Sequence, residues 1–251
     1  MVYMLRNEAG LLLLVLFLSI SLLARWRLRA GPRPALRPIP AYQGLAAAVR
    51  EAAESARPLH ISLGGGGIGD AYSMQTLAGL QVLRELAQPA ATATASLVVT
   101  TASPVALPLA QDLLRQAAEA AGSPDEYAPD SVRFVADSRS AFAAGAGGVI
   151  RQTGAASSAL VGDLRDEYLI LAEPAAQQGE LLAAGSGDVN AQPFVWATAA
   201  LPLLGEEIFA AGAYLGRRRS HLASLAAQDV MRLLLVLFVL VVVIGQSLNL
   251  I

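Results

Sequence analysis

Lysine and cysteine are both absent from the 251-residue chain, so all 18 basic residues are arginine. Without lysine the chain cannot form a Schiff base, a Walker A phosphate-binding loop or the lysine-dependent site of a protein kinase. Without cysteine it cannot form a disulfide, a thiolate nucleophile, a cysteine-ligated iron–sulfur cluster or a zinc ribbon. Its only histidines are His60 and His221, so we do not expect a clustered histidine metal site.

Two long apolar segments lie at the ends of the chain, Ala9–Ala24 and Leu233–Ile251. A helix needs about 20 apolar residues to cross a bilayer core, and interfacial tryptophan and arginine extend the reach of a shorter one. We therefore predict transmembrane helices over residues 9–26 and 233–251, with residues 1–8 as a short tail outside.

The first apolar segment could instead be a cleaved signal peptide. A signal peptide carries its positive charge before the apolar run and small residues after it. Here Arg6 and Glu8 cancel before the run, and five arginines follow it within residues 25–37. This order favours a retained anchor.

Arginines crowd the inner flanks of both predicted spans. They are Arg25, Arg27, Arg29, Arg33 and Arg37 after the first span, and Arg217, Arg218, Arg219 and Arg232 before the second. Because arginine and lysine near span ends mark the cytoplasmic side, both spans predict the same orientation. We expect a two-pass protein of the plasma (inner) membrane, with the middle of the chain cytoplasmic and both termini outside.

The charge is unevenly distributed along the chain. Residues 38–216 contain eight arginines and 18 acidic residues, a net charge of −10. An acidic body excludes nucleic acid as the expected partner, because backbone binding needs positive charge on the binding face. The arginines beside the spans are better suited to contact with anionic lipid headgroups.

The middle of the chain alternates between short strand-like and longer helical segments. Residues 27–40 form a basic, proline-rich linker that we expect to be extended, and residues 41–216 form the folded domain. After a first helix at Leu45–Ala56, the expected strands are Leu59–Leu63, Ser96–Thr101, Val132–Ala136, Ala159–Val161 and Leu181–Ala184. The expected helices between and after them are Ala71–Ala87, Val105–Ala121, Ser138–Gln152, Asp166–Gln177 and Leu204–Leu215. This alternation predicts an α/β fold with an open, doubly wound, mainly parallel sheet of about five strands.

Residues 217–232 have the spacing of a basic amphipathic helix that leads into the second span. It could lie at the membrane surface, continue as one helix out of the bilayer, or pack its apolar side on the domain.

A glycine-rich loop follows the first predicted strand. Gly64, Gly66 and Gly69 fit the pattern G-x-G-x-x-G before a helix, where backbone amides could approach a phosphate. The second strand ends at Thr101 without an acidic residue to hold a ribose, and Asp70 places a negative charge where a pyrophosphate would lie. The loop is therefore either a nucleotide- or phosphate-binding loop or a structural tight turn.

A second candidate segment follows the fourth strand. If the strand order is 3-2-1-4-5, Asp163 and Arg165 face the glycine loop across the crevice where ligands bind in such sheets. Asp163 with Asp166, or the pair Glu206–Glu207, could serve acid–base chemistry or hold a divalent cation. The alternative is that these acids cap helices and complement helix dipoles, which is the commoner role of acids in first turns.

Several segments of this sequence resemble an uncharacterised family of bacterial membrane proteins, catalogued as a domain of unknown function. They are His60–Gly64, Thr76–Leu80, Leu107–Asp112, Val132–Ala136, Gly162–Tyr168 and Gly205–Tyr214. The resemblance implies that these segments form one unit, and it implies no activity, cofactor or catalytic residue.

The sequence leaves three functions open. The first, which we favour from the sequence, is a membrane-anchored, non-enzymatic scaffold or assembly subunit on the cytoplasmic face that self-associates or binds a membrane protein. The second is a sensor that binds a nucleotide or phosphate at the Gly64–Gly69 loop. The third is a carboxylate- or metal-dependent enzyme, although no convincing catalytic set is evident, and the sequence implies no particular cofactor.

Overall fold

A computed structural model describes residues 2–30, 36–69, 71–179 and 181–247. The chain divides into two compact units. One comprises Met1–Arg37 together with Arg217–Ile251, and the other comprises Pro38–Gly216.

The Pro38–Gly216 unit contains a parallel sheet of six strands in the described residues. The strands are β1 (Leu59–Gly64), β2 (Leu97–Thr101), β3 (Val132–Phe134), β4 (Ser157–Asp163), β5 (Leu181–Ser186) and β6 (Leu201–Leu204). Their order is β3-β2-β1-β4-β5-β6, and every adjacent pair is parallel. The strand order reverses between β1 and β4, the first and fourth strands of the chain.

Helices cover both faces of this sheet. They are α2 (Pro40–Ser55), α3 (Ser73–Thr92), α4 (Ala106–Ala121), α5 (Arg139–Thr153), α6 (Tyr168–Gln177), α7 (Gln192–Thr198) and α8 (Ala211–Tyr214), while α1 (Val2–Ala30) and α9 (Arg219–Ser247) belong to the other unit. All residues of β1, β2 and β4 are buried, as expected for parallel strands with helices on both faces. One part of the core joins Phe142 and Ile150 of α5 to Leu160 of β4 and to Tyr168 and Leu171 of α6.

The predicted α/β fold with a mainly parallel sheet is confirmed, and the number of strands is corrected from about five to six. The first five strands have the order 3-2-1-4-5, the condition on which the placement of Asp163 and Arg165 depended. The sixth strand, β6, contains Pro202 and pairs only with β5, so it lies at the sheet edge where proline is tolerated. The prediction of one continuous helix over Leu204–Leu215 is wrong. That segment ends β6, makes a 3-10 turn over Gly205–Ala210 and finishes in the one-turn helix α8.

The other unit contains two 29-residue helices, α1 (Val2–Ala30) and α9 (Arg219–Ser247), which contact each other. In the part of the chain that the structure describes, one helix is long and apolar enough to cross a membrane: Arg219–Ile244 within α9. Its apolar side chains are exposed, as are many of those of α1.

Two sequence-based boundaries change in this unit. The helix α1 extends to Ala30, so the first four residues of the expected linker 27–40 are helical. The amphipathic segment 217–232 and the second apolar segment join in α9, which realises the single-helix alternative from Arg219 onwards. The arginines Arg25, Arg27, Arg217, Arg218, Arg219 and Arg232 are exposed, and Arg33 and the side chain of Arg29 lie outside the described residues.

Candidate functional site

The candidate site lies at the carboxyl ends of β1 and β4, where the strand order reverses. In open α/β sheets this crevice is where ligands bind. The loop after β1 leads to α3, the loop after β4 leads to α6, and α5 begins at Arg139, beside the end of β4.

Glycines let β1 and β4 approach closely at this end. The register shifts beyond Ser62, so that Gly64 pairs with Asp163. Gly64 has a φ of +78° and Gly162 a φ of +154°, and a Cβ on either residue would collide with backbone of the opposite strand. At this irregularity the Asp163 side chain lies under the glycine loop. A Cβ on Gly66 would lie only 2.6 Å from the Asp163 Cβ.

The Asp163 carboxylate is fully buried and contacts two arginines. Arg139 donates from Nη2 to Oδ2, and Arg165 donates from Nε to Oδ1 over 3.0 Å. Arg139 also donates from Nη1 to Oε1 of Glu167 over 2.9 Å. We call these four residues, Asp163, Glu167, Arg139 and Arg165, the crevice ion cluster.

The crevice ion cluster balances two negative and two positive charges. The side chains of Asp163 and Glu167 are 0% and 3% exposed, whereas those of Arg139 and Arg165 are 33% and 22% exposed. Burial alone would lower the pKa of Arg139, but Asp163 and Glu167 raise it, so this arginine stays charged. The two carboxylates therefore lie in the protein interior, beneath the two guanidiniums, which reach solvent.

Both arginines keep donors beyond those used inside the cluster. A guanidinium has five N–H donors, and within the described residues Arg139 uses Nη1 and Nη2 while Arg165 uses Nε and Nη2. The guanidinium carbon of Arg165 lies 3.1 Å from the centroid of the Tyr72 ring, a cation–π contact that fixes its plane. The remaining N–H groups of Arg139 and Arg165 can therefore donate hydrogen bonds to one anion from two directions.

The glycine loop itself uses several of its amides within the protein. The N–H of Gly65 donates to the Asp163 carbonyl over 2.8 Å, and that of Gly69 donates to Ser73 Oγ over 2.8 Å. The N–H of Gly64 points to Ser62 Oγ at 3.4 Å. The amides of Gly64, Gly65 and Gly69 therefore all point to acceptors within the protein. Asp70 lies outside the described residues.

One buried hydroxyl next to the loop has no hydrogen-bond partner among the described residues. Thr76 Oγ1, on α3, is fully buried and lies 2.5 Å from the position of a Cβ on Gly66. The predicted site residue Thr101 is also buried, but its Oγ1 accepts the N–H of Ser103 over 3.1 Å and supports the loop after β2.

The structure brings together Asp163, Arg165 and the glycine loop, as the expected strand order required. It does not pair Asp163 with Asp166, which is exposed, and Asp163 ends β4 without capping α6. The side chain of Glu207 accepts the N–H of Leu204 over 3.2 Å, which is a capping role.

Sequence reasoning missed Arg139 as a site residue. Arg139 is the first residue of α5, where a positive charge is unfavourable beside the positive end of the helix dipole. A basic residue at a helix N-terminus that follows a strand is the signal that could have identified it.

Metal ligation has no support in the described residues, where no group of three or more histidine, aspartate or glutamate side chains could hold an ion. His60 lies within β1, away from the crevice, and its Nε2 is 3.0 Å from Thr100 Oγ1. Burial, with a smaller effect of Arg133, lowers the pKa of His60 to about 3, so it is neutral.

A family model described as a domain of unknown function (DUF6754) matches residues 2–251. No curated protein and no solved structure matches the chain.

Proposed function

We propose that this chain, which belongs to the family of the domain of unknown function DUF6754, is a membrane-anchored α/β domain that binds a small anion in the β1–β4 crevice. The observation that carries the proposal is the crevice ion cluster, in which one buried carboxylate, Asp163, holds two partly exposed arginines side by side. The anion would be a carboxylate or a phosphate group of a small molecule.

Two physical arguments support an anion. Planar guanidiniums recognise carboxylate and phosphate through paired hydrogen bonds, and Asp163 and Tyr72 fix the orientation of Arg165 before a ligand arrives. Holding four charged groups in a largely buried cluster costs desolvation energy that apolar residues would not cost. A buried ion cluster is therefore a weak source of net stability, which favours a functional reason for this one.

The geometry gives less support to a carboxylate-based enzyme. Both oxygens of Asp163 accept hydrogen bonds from arginines, and Glu167 accepts one from Arg139. These carboxylate oxygens are therefore engaged by arginines of the same cluster and are not turned toward a substrate. In the proposed site Asp163 is a positioning residue and the arginines contact the ligand.

The proposed membrane topology has two passes with the folded domain on the cytoplasmic side. Support comes from the 29-residue helices α1 and α9, from their exposed apolar side chains and from arginines near the domain-side ends of both. The exposed arginines would contact anionic lipid headgroups of the plasma membrane.

A scaffold or assembly role is the second candidate function. The observation that favours it is the exposure of large apolar side chains on α7, where Phe194 is 46% exposed and Trp196 is 66% exposed. Exposed aromatic residues of this kind are enriched in protein interfaces. A scaffold is expected to form discrete oligomers or to co-purify with a membrane protein partner.

Thermal unfolding of the full chain in detergent tests the anion site. Inorganic phosphate, citrate and a nucleoside monophosphate are each titrated, because a ligand at 100 times its Kd adds about 2.7 kcal/mol of stability. We expect a saturable rise in Tm that is lost in Arg165→Gln. Arg115→Gln is the matched control, since Arg115 is exposed on α4 and pairs with Asp112 and Glu119 of the same helix.

Two results would contradict the proposal. One is the absence of a saturable shift with any of these anions. The other is an equal shift in wild type, Arg165→Gln and Arg115→Gln, because the anion would then act through bulk ionic strength.

A further inference from the structure

Glu167 is a second buried acid in the crevice ion cluster, and the positioning of the arginines does not account for it. Asp163 already contacts both Arg139 and Arg165. Glu167 contacts Arg139 through Oε1 over 2.9 Å, and its side chain is only 3% exposed. Because a buried carboxylate costs desolvation energy, the charge of Glu167 calls for a further reason.

Capping of α6 is not that reason. Glu167 is the N-cap residue of α6, but its side chain makes no capping hydrogen bond to this helix. Its Oε1 accepts the backbone N–H of Arg165 over 3.3 Å as well as the guanidinium of Arg139. The carboxylate is therefore directed to the arginines of the cluster and not to the first amides of α6.

Glu167 brings the net charge of the cluster to zero. Two guanidiniums and two carboxylates balance, and without Glu167 the same cluster would carry one positive charge. The helices α3, α5 and α6 begin beside the crevice, and each N-terminus adds about half a positive charge. Two exposed acids beside the cluster in the chain, Asp137 and Asp166, offset that contribution. The crevice therefore has no surplus positive charge to neutralise a second negative charge on a ligand.

We propose that the β1–β4 crevice prefers a ligand with a single negative charge, a monocarboxylate or a phosphodiester, and that Glu167 sets this preference. The proposal rests on the anion-binding function proposed above and names the class of anion. Guanidiniums donate paired hydrogen bonds to either kind of oxyanion. A doubly charged anion still binds, but more weakly, because its desolvation costs more and its second charge lies above two buried carboxylates.

Two arginines without the buried acids predict the opposite order of affinity. Such a pair carries two positive charges, so it attracts a dianion more strongly than a monoanion. Anions of similar shape and different charge therefore distinguish the two cases.

Isothermal titration calorimetry of the full chain in detergent, at pH 8 and constant ionic strength, measures this preference. Dimethyl phosphate carries one negative charge, and methyl phosphate carries two because the second pKa of a phosphate monoester is about 6. Monomethyl succinate and succinate make the same comparison with carboxylates. We expect the wild type to bind each singly charged probe about threefold or more tightly than its doubly charged partner.

Glu167→Gln removes the charge and keeps Oε1 as the acceptor for Arg139. The effect of one removed charge on a dianion is the square of its effect on a monoanion, because the Coulomb energy is proportional to the ligand charge. We expect the Kd of dimethyl phosphate to fall about threefold and that of methyl phosphate about tenfold. Glu173→Gln is the matched control, since Glu173 is exposed on α6 and accepts a hydrogen bond from Gln177, and it should bind both anions as the wild type does.

Two results would overturn this inference and leave the anion site in place. One is a wild type that binds methyl phosphate at least as tightly as dimethyl phosphate, a result that needs no variant. The other is an equal change in both Kd values in Glu167→Gln, which would mean that Glu167 has only a structural role. Absence of binding of all four probes to the wild type would contradict the anion-binding function itself.

Discussion

Replacing Asp163 with asparagine removes the carboxylate that Arg139 and Arg165 share. Two guanidiniums would then lie close together without the buried charge between them, so we expect the free energy of unfolding to fall by about 2–4 kcal/mol. Asp166→Asn is the matched control three residues away, and because Asp166 is exposed its effect should stay within about 0.5 kcal/mol.

Urea unfolding of the full chain in detergent, followed by Trp196 fluorescence in a Trp26→Phe background, measures both variants. Equal stability of Asp163→Asn and Asp166→Asn would mean that the crevice ion cluster contributes little to folding. It would also remove the argument that Asp163 positions the arginines.

Burial of neutral His60 makes the stability of the domain depend on pH. Its pKa is about 3 in the folded protein and about 6.5 when unfolded, so the unfolded chain binds the extra proton as the pH falls. The contribution is fully present above pH 6.5 and declines toward pH 3. Between pH 8 and pH 5 this single group should cost about 2 kcal/mol of stability.

The measurement is urea unfolding at pH 8 and pH 5 for wild type and His60→Gln. We expect the difference between the two pH values to be smaller in His60→Gln by about 2 kcal/mol, because glutamine does not titrate. An identical pH dependence in both proteins would show that His60 is protonated when folded or accessible to solvent.

The candidate site was partly predictable at the level of single residues. Asp163 and Arg165 were expected to face the glycine loop because the strand order 3-2-1-4-5 makes the first and fourth strands neighbours. The role of Asp163 under the loop was not predictable, since it depends on a register shift beyond Ser62 that leaves no pattern in the sequence. Arg139 was missed because it is 24 residues from Asp163 and joins it only through the packing of α5.

Two adjacent glycines of α5 make a test at the level of the helix. A Cβ on Gly148 would meet nothing within 4 Å, whereas a Cβ on Gly147 would lie 2.9 Å from Cγ of Pro174 on α6. Gly148→Ala should therefore stabilise the domain by about 0.5–1 kcal/mol through helix propensity. Gly147→Ala should destabilise it by about 1–3 kcal/mol through overpacking.

Chemical unfolding of wild type and both variants measures their free energies of unfolding. It shows whether close packing or helix propensity determines the effect of each alanine. If the two alanines stabilised the protein equally, α5 and α6 would not pack as closely as Gly147 and Pro174 indicate.

Most strands and helices could be predicted because buried parallel strands are short apolar runs and the helices between them have helical spacing. The exceptions have physical reasons. The strand β6 is four residues long and includes Pro202, so it was not predicted, and its last residue, Leu204, was assigned to the helix expected over Leu204–Leu215. The helix α6 formed despite Pro174, whose ring is accommodated next to Gly147.

At the scale of the whole molecule, the proposed topology can be tested with single cysteines, because the natural chain has none. A membrane-impermeant maleimide should label Asn7→Cys on intact cells. It should label Ser55→Cys, at the end of α2, only after the membrane is permeabilised. Labelling of Ser55→Cys alone on intact cells would show the reverse orientation. Labelling of both would contradict the single membrane pass proposed between these two positions.

The pairing of β1 with β4 has a consequence for how the protein is made. These central strands are neighbours in the sheet, but about 100 residues separate Gly64 from Asp163 in the chain. At about 5–20 residues per second, the ribosome needs roughly 5–20 s to deliver β4 after β1. Throughout that interval the apolar strand β1 lacks β4, one of its two neighbours in the sheet. In the proposed topology it is then close to the bilayer. The nascent chain is therefore most exposed to aggregation while residues 64–163 are being synthesised, and chaperones would protect it most in that interval.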